Sequence, residues 1–117
     1  MITLTGQPKS TNHIYRYACR GRNPCMYMTD VGVALKEQYK LEARSQWKKE
    51  ALKGSIKVNL RFFHGDKRKR DIDNYNKILL DSLSGIVYDD DKQIDSLHIE
   101  KYYDKEHPRV EVEASTI

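Results

Sequence analysis

The sequence contains no apolar run approaching the ~20 residues that a membrane-spanning helix needs. Its first residues, Met1-Ile2-Thr3-Leu4-Thr5-Gly6, lack the basic stretch and long apolar core of a secretion signal. Both absences lead us to expect a cytoplasmic protein without a membrane partner. Cysteine is scarce: Cys19 and Cys25 are the only two, set in a stretch with Gly21, Asn23 and Pro24. A structural zinc site takes about four ligands, and none of the later histidines has matching spacing, so free thiols are expected. There is no internal repeat and no linker. The 117 residues leave room for one core, so residues 1–117 are expected to form one domain.

Charge is abundant, and it is unevenly placed. Charged residues make up 32% of the chain and the net charge is +4. That balance favours a polyanion partner only weakly; the distribution says more. Lys67, Arg68, Lys69 and Arg70 are consecutive, and so are Asp89, Asp90 and Asp91. A protein that only coats DNA gains nothing from acidic clusters at its binding face. A metal-dependent nuclease needs both signs, cations for the backbone and carboxylates for the metal.

Periodicity predicts the order β, α, β, α, β, β: an α/β (α+β) domain with a mixed or antiparallel sheet and two helices packed on it. Residues 1–5 read as a first strand. Residues 6–29 carry loop chemistry with room for a short hairpin. Arg16, Arg20 and Arg22 there, interleaved with Tyr15 and Tyr17, suit phosphate contact and stacking. Asp30 can cap a helix reaching about Leu52, with an apolar residue every fourth position from Val31 to Ala51 and Gly54 as its stop. Its lysine-rich opposite face reads as solvated. Ser55–Phe63 alternates cleanly as a half-buried strand. Residues 72–84 turn helical, stopped by Gly85. Residues 93–103 and 109–114 alternate again and read as an antiparallel hairpin.

The chemistry should lie in two places. Asp71 and Asp73 fall where a strand and turn give way to a helix. If Asp71 caps that helix, Asp73 lies in its first turn, where the macrodipole favours ionised carboxylates. Ionised oxygens are the ligands Mg²⁺ takes. Capping alone explains an isolated Asp-x-Asp, but the four preceding basic residues place phosphate-binding charge beside it. Three adjacent aspartates repel unless solvated or bound to a cation. On a strand start Asp89 and Asp91 would point together, with Asp90 opposite. Lys77 could neutralise charge developing on a phosphorus centre, or simply pair with Asp73 one turn away.

The run Lys67-Arg68-Lys69-Arg70-Asp71-Ile72-Asp73-Asn74-Tyr75-Asn76-Lys77, then Asp81-Ser82-Leu83, then Asp90-Asp91-Lys92-Gln93-Ile94, resembles the RusA family of Holliday-junction resolvases. That family shows a basic stretch, Asp-hydrophobic-Asp-Asn, a helical Lys, an Asp-Ala/Ser-Leu step and Asp-Asp-x-Gln-aliphatic. Pro8-Lys9-Ser10-Thr11-Asn12 also resembles its early Pro/Ser/Asn motif. The resemblance implies a homodimeric crossover-junction endonuclease that cuts four-way DNA using Mg²⁺ in recombination and repair. Position by position it makes Asp71, Asp73 and Asp91 the essential carboxylates and metal ligands, with Asp90 a further ligand. It makes Lys77 the essential lysine. Lys67, Arg68, Lys69, Arg70 and Asn74, together with Arg16, are then expected at the DNA. Asp89 departs from the family, where an apolar residue is usual. Resolving a junction takes two symmetric nicks, and a chain this short has room for one site, so a two-fold dimer is economical. A metal nuclease acting on other branched DNA, and a non-catalytic nucleic-acid-binding module, are the competing readings.

Overall fold

Strict alternation makes the central strand. In the computed structural model, which describes residues 1–9, 15–20, 23–70, 72 and 75–117 (backbone alone for 15–20 and 23–26), strand β4 spans Ile56–His64. Ile56, Val58, Leu60 and Phe62 are buried, while Lys57, Asn59, Arg61 and Phe63 face the other side. Each buried side chain contributes about 1.5–3 kcal/mol relative to exposure, as an upper bound. The other strands are β1 (Ile2–Thr5), β2 (Tyr15–Arg20), β3 (Asn23–Met28), β5 (Ile94–Tyr103) and β6 (Arg109–Thr116). The helices are α1 (Asp30–Gln46) and α2 (Asn76–Leu83). Strands β2 and β3 form a separate antiparallel hairpin.

The main sheet is mixed, with strand order β1-β6-β4-β5. The helices and their apolar partners cover one face of it. Leu35, Tyr39 and Ala43 of α1 meet Ile78, Leu79 and Leu83 of α2 over Val110, Val112 and the inward row of β4. This bears out the expected α+β class with two helices. It corrects one pairing. Strands β5 and β6 do not form a hairpin, because β4 lies between them. β5 runs parallel to β4, and β6 runs antiparallel to both β4 and β1. The physical reason is the helix between β4 and β5. A strand–helix–strand unit brings its second strand back parallel to the first. β6 then enters where Val110 and Val112 can be buried, and it leaves β5 at the exposed edge.

Helix α1 is shorter than the pattern implied and ends at Gln46. A strict four-residue repeat advances about 40° per step on a 3.6-residue helix. A stripe from Val31 to Ala51 therefore cannot stay on one buried face. Val31 is exposed, and the chain leaves the helix at Trp47, whose N–H still bonds the Ala43 carbonyl at 2.8 Å. Beyond it Leu52 bridges to Tyr88. Thr29 is the N-cap, accepting from the Gly32 N–H at 3.1 Å, while Asp30 sits in the first turn. Helix α2 begins at Asn76 with Tyr75 at its N-cap position and no side-chain cap. The helix thus starts later than the 72–84 pattern implied, and Ile72 is exposed; Asp71, the expected cap, lies outside the described residues. Gly85 does stop the helix, at φ +85°, a conformation other residues rarely adopt. No helix among the described residues is long and apolar enough to cross a membrane.

Candidate active site

The acidic triplet is not the start of a strand. Residues Asp91–Gln93 form a 3₁₀ turn, and Asp90 caps it by accepting from the Lys92 N–H at 2.9 Å. Gln93 completes a reciprocal cap: its Oε1 accepts from the Asp90 N–H at 2.9 Å. Its Nε2 donates to the carbonyls of Leu52 and Gly54, at 2.8 and 3.0 Å. This clasp fixes the turn to the chain ahead of β4. It also overturns the alternation expected of the triplet. Asp89 turns away to pair with Lys53 at 2.7 Å, while Asp90 and Asp91 are the two that come together.

The Asp90 and Asp91 carboxyls lie within hydrogen-bonding reach of each other. That neighbour is the main cause raising Asp91 above the usual carboxylate range; desolvation and the nearby charges of Asp90 and Asp81 add to it, and Lys77 opposes it. Asp90 moves the other way, held down first by the Lys92 N–H and then by Asp91. The same three aspartates also act on Tyr88, whose buried hydroxyl donates to the Leu80 carbonyl at 2.6 Å and is held firmly protonated, mainly by burial. The fold therefore gathers Lys77 and Asp81 of α2 and Asp90 and Asp91 of the turn into one electrostatic neighbourhood. Asp81 was not among the expected site residues. Its four-residue spacing from Lys77 was the available signal.

Two adjacent exposed carboxylates that repel one another are donor chemistry a divalent cation takes. The residues present fit Mg²⁺ in that sense. Among the described residues, no three acidic, histidine or cysteine groups form a complete cage. Asp71, Asp73 and Asn74 lie outside the described residues, as does the side chain of Arg16, whose backbone is in β2.

The basic run follows β4 as a folded loop. Gly65 opens it at a close approach. A Cβ there would lie 2.9 Å from Gln7 Oε1 and 3.0 Å from Pro108 Cγ, and the Gly65 N–H donates to that Gln7 oxygen at 2.7 Å. Arg70 folds inward. It pairs with Asp66 at 2.7 Å and donates to the Asp66 and Arg68 carbonyls at 3.2 and 3.3 Å. Its side chain is 12% exposed, so its visible task is to shape the loop. Asp66 is held below the usual carboxylate range, first by the Arg68 N–H, with Arg70 assisting. Lys67, Arg68 and Lys69 remain exposed. Lys101 of β5 donates to the Arg70 carbonyl at 2.8 Å and ties the loop to the sheet edge. Two clefts share this loop. One, of 330 Å³, includes Lys9 and Tyr75; the other, of 320 Å³, includes His64, Lys101 and Tyr103.

His64 ends β4 and is 4% exposed, packed edge-on against Tyr75 with ring centres 5.0 Å apart. Burial, then the Arg70 charge, lowers it from 6.5 to about 4, so it is neutral at pH 7. Its Nδ1 has no hydrogen-bond partner among the described residues. Leaving such a group unpaired costs about 1–3 kcal/mol.

The chain is similar to known proteins. A stretch of 44 residues is 48% identical to the uncharacterized protein YqaN of Bacillus subtilis (strain 168), covering 38% of this chain and 30% of that protein. The aligned part is thus under a third of that relative's length, and its name states no activity. The sequence profile of endodeoxyribonuclease RusA matches residues 5–115, from the end of β1 through the basic loop, α2 and the acidic turn and into β6. With nearly the whole chain matched, this protein belongs to the RusA endodeoxyribonuclease family.

Proposed function

We propose that this chain is an Mg²⁺-dependent endonuclease that resolves four-way DNA junctions by paired nicks, working as a homodimer. The observation that carries the reading is the Asp90–Asp91 carboxyl pair, clasped by Gln93 and within electrostatic reach of Lys77. Asp91 and Asp90 would hold the metal together with Asp71 and Asp73. When bound, Mg²⁺ supplies Lewis-acid polarisation of the scissile phosphate and a lowered pKa for attacking water. The protein's own part is positioning and charge. Lys67, Arg68 and Lys69 present cations to the DNA backbone. Arg70 and Lys101 keep the loop that carries them in shape. Asn74 and Arg16 would add contacts to the same strand. Lys77 is placed to meet negative charge that grows on the phosphoryl oxygens as the bond breaks. One chain offers one such neighbourhood, so two symmetric cuts call for two copies.

The test is a labelled four-way junction incubated with Mg²⁺ or EDTA, alongside flap, forked and linear duplexes. We expect symmetric cutting of the four-way junction in Mg²⁺ and none in EDTA. Asp91→Asn and Asp73→Asn should bind the junction and cut it at least ~100-fold more slowly. Equal cutting by Asp91→Asn and wild type removes Asp91 from the mechanism. Faster cutting of flaps or forks than of junctions assigns the same chemistry to other branched DNA.

A further inference from the structure

The 320 Å³ cleft beyond the carboxyl ends of the parallel strands β4 and β5 is walled by the basic loop, and its Tyr103 has no part in the chemistry above. Its size is that of a small-ligand site (~300–1,000 Å³), and its place is where parallel α/β sheets bind ligands. His64 and Tyr103 are register partners on the two strands, so their side chains leave the same face of the sheet. Tyr103 is 46% exposed, and the Lys67 ammonium lies 5.0 Å from its ring centre. Lys69 and Lys101 line the same cleft. Its carboxylate, Asp66, is already matched by Arg70.

The cleft makes two demands on an occupant. Its cations call for an anion. The Tyr103 ring offers a flat face. A free phosphate answers the first demand alone. A paired duplex also answers only the first, because its base faces are hidden in the stack. An unpaired nucleotide answers both.

We propose that this cleft receives one unpaired nucleotide of the DNA substrate, with its phosphate among Lys67, Lys69 and Lys101 and its base on Tyr103. This rests on reading the neighbouring carboxylates as a nuclease centre. It adds how a branch point is distinguished from plain duplex. Bases at a crossover are the ones that leave the stack at least cost. A cleft that captures one of them holds the branch open beside the cutting site.

Two measurements test it, both in EDTA so that nothing is cut. The first places 5-iodouracil at the crossover of a four-way junction and maps the photo-adduct on the wild-type protein. We expect attachment at Tyr103, and none from a continuous duplex of the same sequence. The second compares affinity for a single-stranded decamer with affinity for its duplex. We expect Tyr103→Leu, a surface change, to lower that ratio about tenfold, the worth of one base–aromatic stack or less. An adduct mapping elsewhere, or a ratio unmoved in Tyr103→Leu, overturns the proposal. Junction cutting by a wild type that fails these measurements leaves the resolvase reading standing without the nucleotide site. A wild type that meets them and cuts no junction does the reverse.

Discussion

Gln93 is bonded at both ends of its amide, to the Asp90 N–H and to the Leu52 and Gly54 carbonyls. It bonds the backbone of Asp90 and no candidate ligand oxygen, yet it sets where Asp90 and Asp91 stand. Gln93→Ala should cost about 1–2 kcal/mol in urea unfolding. It should also slow cutting more than it weakens junction binding, which a comparison of kcat with affinity would read. His64 gives a different signature. Its folded value of about 4 lies below the free value of 6.5. Between those two pH values the unfolded chain takes up a proton that the folded chain refuses. Stability is therefore full above pH 6.5, falls as pH drops through this window and levels off below it, by up to about 3 kcal/mol in all. Urea midpoints at pH 7 and pH 4.5 should differ for wild type and converge for His64→Phe. The sequence showed Gln93 as part of a motif and His64 only as a break in a strand. Neither the three bonds of the one nor the burial of the other has a local sequence signature, because each is made by residues distant in the chain.

The polar face of α1 illustrates how much an element's pattern withholds. Its lysine-rich part read as solvated, and on the other flank of the buried stripe three polar residues, Gln38, Glu42 and Gln46, sit one turn apart and serve the outer edge of β1. Gln46 receives the Thr3 N–H at 2.7 Å and returns a bond to the Thr3 carbonyl at 2.8 Å. Glu42 accepts from both the N–H and the hydroxyl of Thr5 at 2.7 Å, and Gln38 donates to the Thr5 carbonyl at 3.0 Å. Amphipathic spacing tells which side of a helix is wet. It does not tell whether that side meets water or a neighbouring backbone. Glu42→Ala should cost about 1–2 kcal/mol and speed amide exchange at Thr5 more than at Val58, since the first is held by that side chain and the second by the sheet. The same blindness accounts for the β5–β6 pairing. Alternation identified both strands and the inward Val110 and Val112 of β6, whereas Leu97 and Tyr103 of β5 are exposed. Pairing partners depended on the α2 crossover and on which strand could be buried on both sides.

Across the whole molecule, the charges expected to meet DNA come from segments far apart in the chain. Lys67 and Lys69 follow β4, and Lys101 ends β5. Replacing Lys67 and Lys69 by Gln should lower the slope of log affinity against log salt by roughly one per residue. The affinity loss should be similar for every DNA sequence. What was legible at this scale was the ordered set of motifs from Lys67 to Ile94. It specified the family, the two-helix α+β class and the acidic and basic pieces of the site. What was not legible was how those pieces meet, because the contacts among Lys77, Asp81, Asp90 and Asp91 are set by packing of α2 against the turn. The two margins of the sheet differ in a way that bears on assembly. β1 has its outward amides and carbonyls occupied by α1, whereas β5 carries no such side-chain bonds among the described residues. Any sheet-to-sheet joining would have to begin at β5, and the incoming copy would present its own sealed β1 on the far side. Such growth terminates after a single union, so a protein built this way can pair through its strands without seeding fibres.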